Sequence, residues 1–436
     1  MSDKYKYITD NYIDNLKDTI ISETARLIGF DSVTGNAKQI SESLNYVLKK
    51  ASDLGMKTGI TTTGDVGFAE IGGEGGSYAK TLGILVHVDV VGIGDKAKWN
   101  YPPFGGQLDK GILWGRGAVD DKGPVIMCLY AMKAVMDSGI KLKNRIRLII
   151  GTSEETVWTD MDHYKEEFGC PDFGFSPDGD FPVYNIEKGY ADMELIFNEP
   201  RLKDIIVLTA GDAVNTVPGK AVMQLSNELE KIYTGVAIHS STPQLGDNAI
   251  LRLAKDNGNK GFCFAEFLND LYDNDPCGSK IGIDDGSDLH NGVFVGKTVA
   301  APTILQLTEN GIFININIRC KYGTDKSHIE EAFRKYSKKY SYKVDCVDFI
   351  DAMMVDSNLP HIRLMNAVYE KYGYRGECKV ADGASYAKSM NNFVCWGPVF
   401  PGEPSCAHME DEGIAVDKLI EGAKIYAAYI FLCANL

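Results

Sequence analysis

Residues 81–124, TLGILVHVDVVGIGDKAKWNYPPFGGQLDKGILWGRGAVDDKGP, constrain the fold more than any other stretch. An apolar run with β-branched weighting (Leu82, Ile84, Leu85, Val86, Val88, Val90 and Val91) predicts a buried strand over 82–91. His87 and Asp89 interrupt that run two positions apart. The period of a strand puts both on one side, near its C-terminal end. Asp120–Asp121 follow, between Gly-rich turns and an apolar run that predicts a helix over 124–138, with Pro124 suited to its first turn. Arg145–Gly151 predicts the next buried strand, which ends at Ser153-Glu154-Glu155. Strand, helix, strand in that order implies an α/β unit with a mostly parallel sheet flanked by helices.

At 436 residues the chain is longer than one ordinary core supports, so two domains are expected. Upstream of the central stretch, residues 11–30 and 38–54 read as amphipathic helices, with Gly55 stopping the second, and strands are expected at 56–60 and 66–72. Composition changes near Gly189. From 190 to 356, strand-like runs (ADMELIF, IIVLTAG, AVMQLS, TGVAIHS, GIFININIR) alternate with helical ones (NAILRLAKDN, SHIEEAFRKYSKKY). This predicts an α+β domain inserted into the first, giving 1–189, 190–356 and 357–436 as the parts. The last part returns to α/β character: LPHIRLMNAVYEKYG as helix, NNFVCWG as strand, and VDKLIEGAKIYAAYIFLCANL as a closing helix.

A net charge of −15 argues against nucleic acid and anionic membranes as partners. No apolar run approaches the roughly 20 residues that span a bilayer, and MSDKYKYITDNYIDN lacks a secretory pattern. A cytoplasmic location is expected. The ten cysteines form no C-x-x-C pair and read as reduced residues. The glycine clusters do not present G-x-G-x-x-G between a strand and a helix, which sets aside dinucleotide binding.

The chemistry-bearing residues gather at element ends: His87/Asp89, Asp120/Asp121, Glu154/Glu155 and Asp178/Asp180, with His408 from the C-terminal part. Singly, each has an ordinary structural reading, as a helix cap, a turn residue or solvated charge. Together they sit where open α/β sheets place ligands. Imidazole plus carboxylate suits zinc, and also manganese or cobalt, rather than a soft thiolate site. Five ligands shared between two ions leave room for water at each. Adjacent glutamates at a strand end diverge, so one can ligate while the other serves as a general base. Asp89 is placed to fix the His87 ring through its other nitrogen.

HVDVV, GRGAVDDKGP, SEE, SPDGDFP and AHMEDE, in that order, resemble the motif blocks of the dinuclear zinc exopeptidases. That clan includes carnosinases, aminoacylases, glutamate carboxypeptidases and succinyl-diaminopimelate desuccinylases. WNYPPFGG, WGRGAVDDKGP and SPDGDFP are most similar to the PepV-type dipeptidases. The resemblance implies that His87 and Asp178 bind one metal, Glu155 and His408 the other, and that Asp120 bridges. It makes Glu154 the general base and Asp89 the residue behind His87. It also implies a cis peptide between Asp120 and Asp121.

The same resemblance makes the inserted domain a lid. His239 would stabilise the transition state, Asn215 would accompany it, and Arg319 would bind the substrate carboxylate. Ser385 falls in the segment that faces the substrate, where Asp382-Gly383-Ala384 departs from the usual Gly-Gly. The length of the lid resembles that of enzymes in which it replaces a partner's lid, so a monomer is expected. The activity implied is a metallo-dipeptidase acting on small, unblocked peptides, with β-alanyl dipeptides in range. The attacking group would be water bound by two divalent ions. An N-acyl amino acid deacylase or desuccinylase of the same fold is the alternative. A non-catalytic peptide-binding protein would have no need of Glu154.

Overall fold

The computed structural model describes residues 4–404 and 406–435. Met1–Asp3 of the N-terminal reading and Leu436 of the closing-helix reading lie outside the described residues. Contacts divide the chain into two compact units. The first comprises Met1–Asn185, Val355–Lys379 and Ser385–Leu436, and the second Ile186–Met354 and Val380–Ala384.

The first unit is built on a mixed sheet. Lys57–Ile60, Gly67–Gly72, Arg145–Gly151, Thr81–His87, Phe173–Ser176 and Phe393–Trp396 follow one another across it, and Val183–Glu187 comes next. The four central strands, from Arg145–Gly151 to Phe393–Trp396, are parallel, and the flanking pairs are antiparallel. These central strands are near-continuous apolar runs because helices cover the sheet. Lys122–Asp137 is buried along almost its whole length and packs on the closing helix Val416–Cys433. His87 and Gly151 are register partners, so the strands leading to His87 and to Glu154–Glu155 end level with each other.

Two local expectations change. The helix expected over 11–30 is two helices, Lys4–Asn15 and Lys17–Ile28, because Leu16 leaves helical geometry (φ −102°, ψ 7°). The strand expected over 82–91 stops at His87. Beyond it the Val90 N–H bonds the Ser32 carbonyl at 3.0 Å, and Val90 bridges to Val33. The chain therefore leaves the sheet at the histidine, and the strand's period does not govern Asp89.

The second unit is a seven-stranded antiparallel sheet. Its order is Lys231–Thr234, Lys220–Leu225, Ile205–Ala210, Val299–Thr308, Gly311–Cys320, Gly189–Phe197 and Tyr342–Ile350. Alternation sets its core: Met193, Leu195 and Phe197, with Ile312, Ile314, Ile316 and Ile318, join Leu253, Phe267 and Phe333 of the helices. The intervening positions of Gly311–Cys320 include Asn315, Asn317 and Arg319, which are buried too. The strands Val299–Thr308 and Tyr342–Ile350 and the helix Cys263–Tyr272 add to the elements expected from sequence. Val380–Ala384 packs here through a Lys188 N–H to Ala381 carbonyl bond of 2.9 Å and a Lys188–Asp382 ion pair of 2.7 Å.

Candidate active site

Five ligand candidates and Glu154 converge within the first unit. One group comprises His87, Glu154 and Asp178; the other comprises Asp120, Glu155 and His408. Asp120 stands between the two imidazoles. Its Oδ1 is 3.0 Å from Nε2 of His87, and its Oδ2 is 2.9 Å from Nε2 of His408. Asp178 Oδ2 lies 3.7 Å from the same His87 nitrogen, and Glu155 Oε2 lies 3.3 Å from that of His408. His408 has a left-handed backbone, φ 64°, unusual for a residue with a β-carbon. The peptide between Asp120 and Asp121 is cis.

The electrostatics are those of a crowded acidic site. Burial pushes the Glu154 carboxyl well above its usual range, and the negative charge of Asp178 pushes the same way. Burial also raises Glu155 and Asp178, each beside Asp120. Burial opposes charge on His87, but Asp120, Asp178 and Asp89 outweigh it and raise its pKa. Hydrogen bonds with Asp120 and Glu155 raise His408 to about 11.

These residues fit two divalent cations. Nε2 of His87 and Oδ1 of Asp120 face each other at 3.0 Å without hydrogen-bond geometry, and Oε1 of Glu155 is buried without a hydrogen-bond partner. Leaving such groups unsatisfied is costly unless a ligand takes them up. The donors are nitrogen and oxygen, with no thiolate among them.

Buried polar groups behind the candidate ligands hold them in place. Nδ1 of His87 lies 3.0 Å from the backbone carbonyl of Asp89 and 3.4 Å from its carboxylate, so the carbonyl is the nearer contact. The Asp89 carboxylate accepts the N–H groups of Glu154 and Glu155 at 3.3 and 3.2 Å. Asp121 accepts the His87 N–H at 3.1 Å. Glu412 is fully buried and pairs with Arg116 at 2.7 Å. It accepts the N–H groups of Gly117, Val119 and Asp120. Arg116 belongs to GRGAVDDKGP and Glu412 to AHMEDE. The run Glu410-Asp411-Glu412 did not show which acid turns inward. Glu410 and Asp411 instead hold the N–H groups of Asp95 and Asn100.

The other candidate residues sit within their own units. Asn215, His239 and Arg319 belong to the second unit. His239 pairs with Thr216 on a two-stranded ribbon, and the Asn215 carbonyl accepts the Ser240 N–H at 2.9 Å. Nδ1 of His239 is 2.7 Å from the Ser241 hydroxyl. Arg319 lies over the Tyr190 ring and donates to Asn317, which also accepts from Ser240. Ser385 belongs to the first unit, and its hydroxyl accepts the Ala387 N–H at 3.3 Å.

Residues 83–431 match the peptidase family M20/M25/M40. The chain belongs to that family, and it is a metallopeptidase. It is 30% identical to "Putative dipeptidase YtjP" of Bacillus subtilis (strain 168), over 96% of this chain and 98% of that one. Among solved structures, human carnosine dipeptidase 1 is similar in fold, with a TM-score of 0.67 at 15% identity over 99% of both chains. The dipeptidase Dug1p from Saccharomyces cerevisiae has a TM-score of 0.65 at 14% identity over the full length of both chains.

Proposed function

We propose that the chain is a metal-dependent dipeptidase that hydrolyses the amide bond of small unblocked dipeptides, β-alanyl dipeptides included. The observation that carries this reading is Asp120, with one carboxylate oxygen facing each of two imidazoles. The dipeptidase description of its full-length relative supports the substrate class. His87 and Asp178 would hold one ion, Glu155 and His408 the other, with Asp120 shared. The oxygen and nitrogen donor set favours zinc and is compatible with manganese or cobalt. Such ions polarise a carbonyl and make water acidic enough to be deprotonated near neutral pH.

Glu154 acts as the general base. It removes a proton from the attacking water and delivers it to the leaving nitrogen as the C–N bond breaks. Asp89 fixes the His87 ring and the two glutamate N–H groups. In this reading His239 donates to the developing oxyanion, Asn215 supports it, Arg319 grips the terminal carboxylate, and Ser385 contacts substrate. The enzyme acts as a cytoplasmic monomer, and sedimentation giving an obligate dimer would reject that state.

The test is a panel of free dipeptides beside acetyl- and succinyl-amino acids, with metal analysis. Hydrolysis of the free dipeptides and about two ions per chain are expected. Turnover of the acylated set alone would replace this reading with a deacylase.

A further inference from the structure

Four consecutive backbone N–H groups, from Thr152 to Glu155, point at two buried carboxylates. Those of Thr152 and Ser153 donate to Oδ2 of Asp160 at 2.9 and 3.2 Å. Those of Glu154 and Glu155 donate to Asp89. Asp160 is 1% exposed, and the same Oδ2 accepts the Tyr386 hydroxyl at 2.5 Å. The Ser153 N–H also reaches the Tyr386 oxygen at 3.2 Å. Trp158 closes the turn by donating its indole N–H to the Glu154 carbonyl at 2.7 Å.

Tyr386 ties this turn to the metal side. Its ring stands edge-on to His87, centroids 6.1 Å apart at 87°, and to Trp158 at 6.0 Å and 64°. It occupies space that exists because residue 151 is glycine. A β-carbon there would lie 2.5 Å from the Tyr386 hydroxyl oxygen and 2.6 Å from a ring carbon. One tyrosine therefore touches the strand end, an imidazole and the turn carrying both glutamates.

We propose that Asp160 and Tyr386 are positioning residues for Glu154, holding the 152–155 turn so that the base and its neighbour Glu155 diverge at fixed angles. The physical reason is the convergence of the N–H groups. A turn with four amides facing inward needs buried acceptors, and Asp89 takes only two of them. Without Asp160 the peptide planes of Thr152 and Ser153 would rotate to find other acceptors, carrying Glu154 with them. Small displacements of a general base are costly to turnover while substrate affinity can survive them. This inference rests on the dipeptidase reading.

The test is Tyr386→Phe, which keeps the ring against Gly151 and removes only the hydroxyl, with Asp160→Asn as the second variant. Each is purified with zinc, its metal content measured, and kcat and KM taken with a dipeptide that the unmodified enzyme cleaves. Two ions retained, KM within about twofold and kcat lower by about 10- to 100-fold are expected, the range for groups that orient an active-site residue. Amide hydrogen exchange at Thr152 and Ser153 should accelerate in both variants. Unchanged kcat per metal-loaded chain, or unchanged exchange, overturns the proposal. Loss of metal in Tyr386→Phe also overturns it, because the role would then lie at His87. An unmodified enzyme that cleaves no dipeptide counts instead against the proposed function.

Discussion

Glu412, four residues beyond His408 in the same loop, accepts the backbone N–H of Asp120 at 3.2 Å. The residue between the two imidazoles is thus held by the loop that supplies one of them. Arg116 completes the link. One guanidinium nitrogen is 2.7 Å from Glu412, and another reaches the carbonyls of Gly92 and His408. Trp99 covers its face at 5.4 Å. Breaking a fully buried pair leaves an uncompensated charge, so Arg116→Ala should cost about 3–5 kcal/mol in urea unfolding. Glu412→Gln should weaken metal retention about 10- to 100-fold on dialysis against graded chelator. Wild-type stability in the first variant would show that the pair is not anchoring the loop.

Glu154 gives a prediction of the opposite kind. Glu154→Gln removes the base and leaves His87, Asp178, Asp120, Glu155 and His408 intact. The metal content should stay near that of the unmodified enzyme, while kcat drops by about 100-fold or more. Full turnover in metal-loaded Glu154→Gln would remove Glu154 from the mechanism.

Much of this was legible in the sequence because the constraints are local. Apolar runs around His87 and before Glu154 marked two strands of a parallel sheet; the first was expected to run to Val91, but it ends at His87, in register with Gly151. What was not legible depends on long-range contacts. Glu412 looks like its half-buried neighbours Glu410 and Asp411 until the loop folds inward. Asp160 begins a helix in which an acid near the N-terminus is ordinary. The Thr152 and Ser153 N–H groups and the hydroxyl of Tyr386, far along the chain, show that its carboxylate faces the strand end. Val380–Ala384 carries no compositional mark of packing with the second unit; its partners are Lys188 and the strand edge beside it.

Arg319 yields a test of the carboxylate-binding role. Its guanidinium is buried, lies over Tyr190 at 4.9 Å and donates to Asn317. Burial lowers its pKa, although an arginine remains charged at any working pH. A planar fork stacked on an aromatic ring is not replaced by an ammonium, so Arg319→Lys should raise KM for a dipeptide by about 10-fold or more. The same change should matter little for the corresponding dipeptide amide, which lacks the carboxylate. Equal losses on both substrates would assign Arg319 to the architecture of the second unit.

His361 provides a pH prediction away from the metal site. The side chain is 5% exposed, rests against the Phe173 ring at 4.9 Å, and leaves Nε2 without a hydrogen-bond partner. Burial pushes its pKa down to about 4; a backbone bond with Asn392 opposes this and Lys80 adds to it. The folded state therefore holds the ring neutral, while the unfolded chain protonates it near the ordinary value of about 6.5. Above that value neither state is protonated and the residue contributes no pH dependence. Between about 6.5 and 4 the unfolded state binds more protons, so stability falls as pH falls, and below about 4 the loss levels off. With allowance for partial solvation, the loss is about 1–2 kcal/mol. His361→Phe keeps an aromatic ring on Phe173 and cannot titrate. Its stability relative to the unmodified chain, measured in urea at pH 7.5 and pH 5, should rise by more than half of that amount at the lower pH. A constant difference between the two proteins would mean that His361 stays accessible to protons in the folded state.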